Sequence, residues 1–289
     1  SRREPFFRPP IFWAPPSRSS AILGTCRSMV SVLAMPPMTA KWLSITALQA
    51  VMSGTTYAAE RMDPASYSKF AQISEAGKKG RTVGSRTGML IIYTPALLLA
   101  SQMSTDGGQG VSDVPGLVAT MLCAHFLKRV CEVLFLHKYS GGMPLATACM
   151  IGLFYALTAL LENYAVRTDA ALSGPPGFTS LGSLLFLIGE AGNFYHHWLL
   201  AQLRKDKRTD VGYTVPQGGL FPYVNSPHYL FELVAWYGIA VAARQLNVLL
   251  VAVTMTGYLA GRSVGVTEFY RKNVQDFPAS RKHLVPLLF

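Results

Sequence analysis

The sequence predicts an all-α protein, a polytopic membrane bundle of about seven transmembrane helices, and three observations carry that prediction. Only 14% of the 289 residues are charged, against about 25% in soluble proteins. Half are hydrophobic, and the mean hydropathy is +0.28. The basic residues behind the formal net charge of +11 sit in short clusters between apolar runs near the length, about 20 residues, that a helix needs to cross a bilayer. Such a charge would also suit nucleic acid, but its division into loop-sized clusters assigns it to membrane loops, so no nucleic-acid partner is expected. Gly and Pro, 25 and 18 residues, fall short of the roughly 25–30% of a low-complexity chain.

Taken in order, residues 1–41 form an irregular leader. They are rich in Arg and Ser, carry Pro9, Pro10, Pro15 and Pro16, and hold a single acid, Glu4, a composition closer to a targeting segment than to a fold. Residues 42–289 form the membrane domain, with apolar segments at 42–58, 87–103, 114–136, 146–166, 181–203, 228–243 and 246–264. Lys and Arg are retained on the cytoplasmic side of a membrane. Arg61, Lys69, Lys78, Lys79, Arg81 and Arg86 follow the first segment, Lys138 the third, Arg204, Lys205, Lys207 and Arg208 the fifth, and Arg271, Lys272, Arg281 and Lys282 the last. The intervening loops carry almost none, which puts the C-terminus in the cytoplasm. The basic leader opposes the N-terminal placement this implies; a start at Met35 or Met38 would leave only Lys41 before the first segment.

Ionisable groups in membrane helices are expensive and usually face a bundle interior or a wet cavity. Three segments carry them in register. His125, Lys128, Arg129 and Glu132 share one helical face of the third; Glu190, Asn193 and His197 do so on the fifth; His228, Glu232 and Trp236 are spaced by four on the sixth. Together they predict a polar pocket open to the cytoplasm. Interhelical hydrogen bonding is the plainer explanation of each stripe. Adjacent Lys128 and Arg129 call for an anion, and Glu132 can answer only one of them. The loop after the fifth segment, with four cations ahead of Tyr213, then Pro216, Gly218 and Gly219, then Phe221, Tyr223 and Tyr229, suits a nucleotide phosphate with stacked rings or an ordinary basic loop. No metal site is expected: His196 and His197 diverge by about 100° on a helix, and Cys26, Cys123, Cys131 and Cys149 have no zinc spacing. No soluble dinucleotide-binding or P-loop motif occurs.

The strings GNFYHHWLLAQLR, GYTVPQGGLFPYVNSPHYLFELVAWYG and FYRKNVQDFPASRKHLVPLLF resemble, in order and spacing, the C-terminal domain of the steroid 5α-reductase and trans-2-enoyl-CoA reductase superfamily. The resemblance is strongest within 114–289. The stretch HFLKRVCEVLFLHKYSGGMPL is more similar to the enoyl-CoA branch. This resemblance implies a seven-helix bundle in the endoplasmic reticulum membrane that holds NADPH and saturates a C=C bond conjugated to a carbonyl of a lipid-type substrate. It implies cofactor contacts at Asn193, Arg204, Tyr213, His228, Glu232, Trp236 and Tyr270, joined by the cations Lys128 and Arg129, and catalytic roles for Tyr229 and Tyr93.

The chain departs from the family pattern at Phe126, where the steroid branch has Tyr, and at His197, Thr214 and the stretch around Val266. The first departure favours long-chain trans-2-enoyl-CoA over a steroid or polyprenol; the others bear on nucleotide binding. A catalytically silent relative associated with other membrane subunits, and a membrane methyltransferase echoed faintly by SPHYLFELVAW, are the competing classes.

Overall fold

The computed structural model describes residues 39–65, 80–105, 111, 113–168, 176–205, 214–275 and 277–289. The leader therefore lies outside the described residues except for its last three. Seven α helices occur among them: α1 (Ala40–Met62), α2 (Ser85–Thr105), α3 (Val114–Cys131), α4 (Leu145–Thr168), α5 (Pro176–Lys205), α6 (Pro227–Ala243) and α7 (Leu246–Asn273). Each coincides with a predicted segment. Most are longer, because hydropathy reads only the apolar part of a helix: α7 runs nine residues past the predicted end through Glu268, Arg271 and Lys272.

Local chemistry sets the ends. Asp113 caps α3 by accepting from the Gly116 N–H at 2.7 Å, with a proline in the first turn. The Gln245 side chain accepts from Asn247 N and Val248 N at the start of α7. Between α6 and α7 the chain reverses at Arg244 in the left-handed conformation. Helix α3 continues into a wider π-helical turn, Glu132–Leu136, closed by His137 N donating to Glu132 O at 2.8 Å. Turns of this kind often accompany functional sites. A two-stranded antiparallel ribbon, β1 (Thr82–Gly84) with β2 (Gly142–Pro144), ties the chain ahead of α2 to the chain ahead of α4. Three-residue strands are too short to betray themselves by alternation.

Two helix pairs are joined in different ways. On α5 and α6, Gly182, Gly189 and Gly238 let the backbones touch; a Cβ at Gly189 would collide with the backbone of Ala235. Helix α1 is fastened to α7 by polar groups instead. Gln49 and Asn247 exchange hydrogen bonds, Ser53 Oγ lies 2.9 Å from Thr254 Oγ1, and Glu60 pairs with Arg262.

The polarity of the bundle is inverted relative to a soluble domain. Leu153, Leu157 and Leu160 on α4 and Leu184, Leu187 and Ile188 on α5 are exposed, while His125, Arg129, Glu132 and Asn193 are buried. An apolar surface with polar groups gathered inside an otherwise apolar core suits lipid as the solvent. By length and composition α2, α4 and α7 are able to cross a membrane. Helices α3, α5 and α6 carry the inward-facing polar stripes.

Candidate active site

The three predicted stripes converge. From α3, His125 Nδ1 lies 2.7 Å from Glu190 Oε1 of α5, and Lys128 Nζ lies 2.8 Å from Glu190 Oε2 and 2.5 Å from Asn193 Oδ1. Arg129 is the centre of a second knot. One guanidinium nitrogen donates to Glu132 Oε2 at 2.5 Å and lies 2.9 Å from His197 Nδ1; the other donates to the Tyr93 hydroxyl of α2 at 2.7 Å. The Asn193 amide links the stripe to α6, donating to His228 O at 2.8 Å and reaching Glu232 Oε2 at 3.5 Å. Rings close the apolar side: Phe126, fully buried, packs edge-on against Tyr155 and Trp236, and Tyr155 lies against Tyr93.

The expectation that Glu132 would leave one cation unanswered is corrected. Lys128 is met by Glu190, a residue on another helix whose direction sequence spacing could not give. Glu132, His137 and His197 place three possible ligand atoms within 4.8 Å of one another. Arg129 already donates into that group, so a cation there would face a guanidinium.

Tyr229 opens the second part of the site. Its hydroxyl hydrogen-bonds Arg262 of α7 and interacts electrostatically with Glu232. Arg262 is fully buried and donates to Glu60 Oε1 of α1 at 2.9 Å and to Ala65 O at 3.2 Å. Tyr93 also interacts with Glu232. Each phenol is therefore held by a buried guanidinium, Tyr93 by Arg129 and Tyr229 by Arg262. Sequence reasoning missed Glu60 and Arg262, since neither belongs to a stripe of polar residues repeating on one helical face; their opposite signs were the available signal. It also missed Glu162 of α4, fully buried with neither carboxylate oxygen hydrogen-bonded among the described residues.

The loop between α5 and α6 packs against the C-terminal tail. Gly219 has φ +51°, and a Cβ there would press on His196, whose Nε2 accepts from Leu220 N at 3.1 Å. Arg281 donates to Pro216 O, and Asn225 N and Ser226 N donate to Lys282 O and His283 O. Tyr270 sits apart from the Arg129 knot, stacked on Phe277 with Val266 and Val274 nearby. Of Arg204 only the backbone, in the last turn of α5, is described, and Tyr213 lies outside the described residues.

With this geometry in place, comparison with known proteins is decisive. The model of the 3-oxo-5-alpha-steroid 4-dehydrogenase family matches residues 142–289. The chain belongs to that family. Among its relatives, 3-oxo-5-alpha-steroid 4-dehydrogenase 2 of Sus scrofa is 32% identical over 68% of this chain and 75% of its own length. The Homo sapiens protein of the same name is 39% identical with the same coverage. The Very-long-chain enoyl-CoA reductase of Dictyostelium discoideum is 29% identical over 70% of this chain and 67% of its own. The 3-oxo-5-alpha-steroid 4-dehydrogenase family comprises membrane oxidoreductases acting on C=C bonds, and α5, α6 and α7, which supply Asn193, Tyr229, Glu232 and Arg262, all lie within the matched region.

Proposed function

We propose that this protein is an NADPH-dependent reductase of the endoplasmic reticulum membrane, with seven spanning helices and a cytoplasmic C-terminus. It saturates a C=C bond conjugated to a carbonyl, and its substrate is a long-chain trans-2-enoyl-CoA in fatty acid elongation. The observation that supports this most is that two phenols, Tyr93 and Tyr229, are each hydrogen-bonded to a buried arginine, Arg129 and Arg262. Two phenolic O–H donors, each hydrogen-bonded to a guanidinium, suit a reaction that needs a donor to the carbonyl oxygen and a proton for the α-carbon.

The residues also fit a dinucleotide. The Trp236 indole N–H, the Ser226 hydroxyl and Asn225 Oδ1 are buried on or just before α6 and have no hydrogen-bond partner among the described residues. Buried polar atoms are costly in that condition, and an amide or sugar hydroxyl would relieve them. Asn193, Arg204, Tyr213, His228, Glu232, Trp236 and Tyr270 would hold the dinucleotide. When bound, a reduced nicotinamide supplies a hydride to the β-carbon. Tyr93, held by Arg129, donates to the carbonyl oxygen; Tyr229 delivers the proton to the α-carbon; the rings of Phe126, Tyr155 and Trp236 exclude water.

A steroid reductase is the second reading, favoured by the names of several relatives. Against it, Phe126 presents no hydroxyl where the resemblance puts a ketone-binding Tyr, and it is fully buried among rings. Purified protein given NADPH and a long enoyl-CoA should oxidise the cofactor, and a 4-ene-3-ketosteroid should not replace the thioester; the reverse result assigns the steroid. No oxidation with either, together with stable co-purification of other membrane proteins, would favour a silent subunit. Tyr229→Phe should hold its expression while turnover falls by about 10²–10⁴.

A further inference from the structure

Resting on the reductase reading above, we propose that Arg262, clamped by Glu60, is the positioning residue that aims the Tyr229 hydroxyl and stabilises the phenolate formed when Tyr229 gives up its proton. Three observations support it. Arg262 is 1% exposed, in a helix whose other buried residues near it are small or apolar, such as Gly261, Ser263 and Leu259. Taking a guanidinium out of water carries a desolvation cost that must be offset by partners. One of its guanidinium nitrogens donates both to Glu60 of α1 and to the Ala65 carbonyl just beyond α1, and the side chain reaches Tyr229 on α6. Glu60 itself is secured by the Ala65 N–H at 3.2 Å. Helices α1 and α7 therefore contribute to a hydroxyl carried by α6, although α1 supplies nothing to the Arg129 knot among the described contacts.

The step balances. After hydride, supplied by the reduced nicotinamide dinucleotide, has joined the β-carbon, the Tyr229 O–H bond breaks and its proton takes up the enolate electron pair as the new α C–H bond. The phenolate left beside Arg262 is reprotonated from water. A fixed guanidinium aimed at an oxygen where negative charge develops is the arrangement that electrostatic catalysis needs.

The test reads the phenol directly and through turnover. In protein carrying ¹³Cζ-tyrosine, the resonance that vanishes in Tyr229→Phe marks Tyr229. Arg262→Gln should move that resonance, Arg262→Lys should move it less, and the Tyr93 resonance should stay. A Tyr229 resonance unmoved in Arg262→Gln overturns the proposal whether or not any substrate turns over. In turnover of whichever conjugated thioester or ketone the protein reduces, Arg262→Gln should lower kcat about 100-fold with KM little changed, and should add less than threefold to Tyr229→Phe. A full additional 100-fold loss on top of Tyr229→Phe would also overturn it. The paired variant Glu60→Gln/Arg262→Gln removes both charges together, so the comparison survives if the single variant misfolds. Loss of enoyl-CoA turnover in the wild type, with the resonance still sensitive to Arg262, would refute the substrate reading while supporting the positioning role.

Discussion

The two buried charge groups of this bundle are organised on opposite plans. Around Arg129, ionisable groups are supplied repeatedly from α3, the turn after it and α5: His125, Lys128 and Arg129 with His197, facing Glu132 and Glu190. Around Arg262 there is one acid from α1 and one base from α7. The first is a hub with a periphery, and a peripheral member can be lost while its neighbours keep other partners. The second has no periphery. Burial alone therefore does not rank these groups; the number of partners each would strand does. Replacing a whole buried pair by apolar residues is often neutral, whereas removing one partner leaves an uncompensated charge.

The largest effect should follow loss of the hub. Glu132→Gln strands Arg129 and weakens the seat of His197 at once, and should cost about 3–5 kcal/mol in equilibrium unfolding in mixed micelles. Glu60→Gln comes next, on the order of 3 kcal/mol, because Arg262 keeps the Ala65 carbonyl and Tyr229. Glu190→Gln should cost less, about 1–3 kcal/mol, since Lys128 retains Asn193 and has Glu132 Oε1 at 3.8 Å. If the Glu190 variant were as damaging as the Glu132 variant, the distinction between hub and periphery would fail.

The same contrast explains what the sequence could tell. The Arg129 group was legible because its members repeat on one face of α3 and on one face of α5, and a stripe of charges in an apolar helix is a strong periodic signal. Even so, which acid answers which base depended on how α3 and α5 meet, so Glu190 as the partner of Lys128 was not readable. Glu60 fell two residues beyond the predicted first segment, and Arg262 stood alone in the last. Their partnership spans 202 positions and joins the first helix to the last. No local pattern encodes it. The seven helices themselves were readable, though not all of their ends, because apolar length is a local property. The β1–β2 ribbon was not, since pairing between loops depends on where the helices put them.

The smallest effect belongs to Arg61 and Glu268, which join α1 to α7 one residue beyond Glu60. Their geometry is good, with guanidinium nitrogens at 2.7 and 3.0 Å from the two carboxylate oxygens. Yet the side chains are 31% and 54% exposed. Water and salt screen such a pair, and ordering two long side chains opposes it, so exposed pairs contribute about 0.2–1 kcal/mol. Arg61→Ala should therefore shift unfolding by no more than that, and the shift should shrink further as salt is raised. A loss equal to that of Glu60→Gln would mean that the α1–α7 contact is held by its exposed end rather than by the buried Arg262, and the ranking by stranded partners would have to be abandoned.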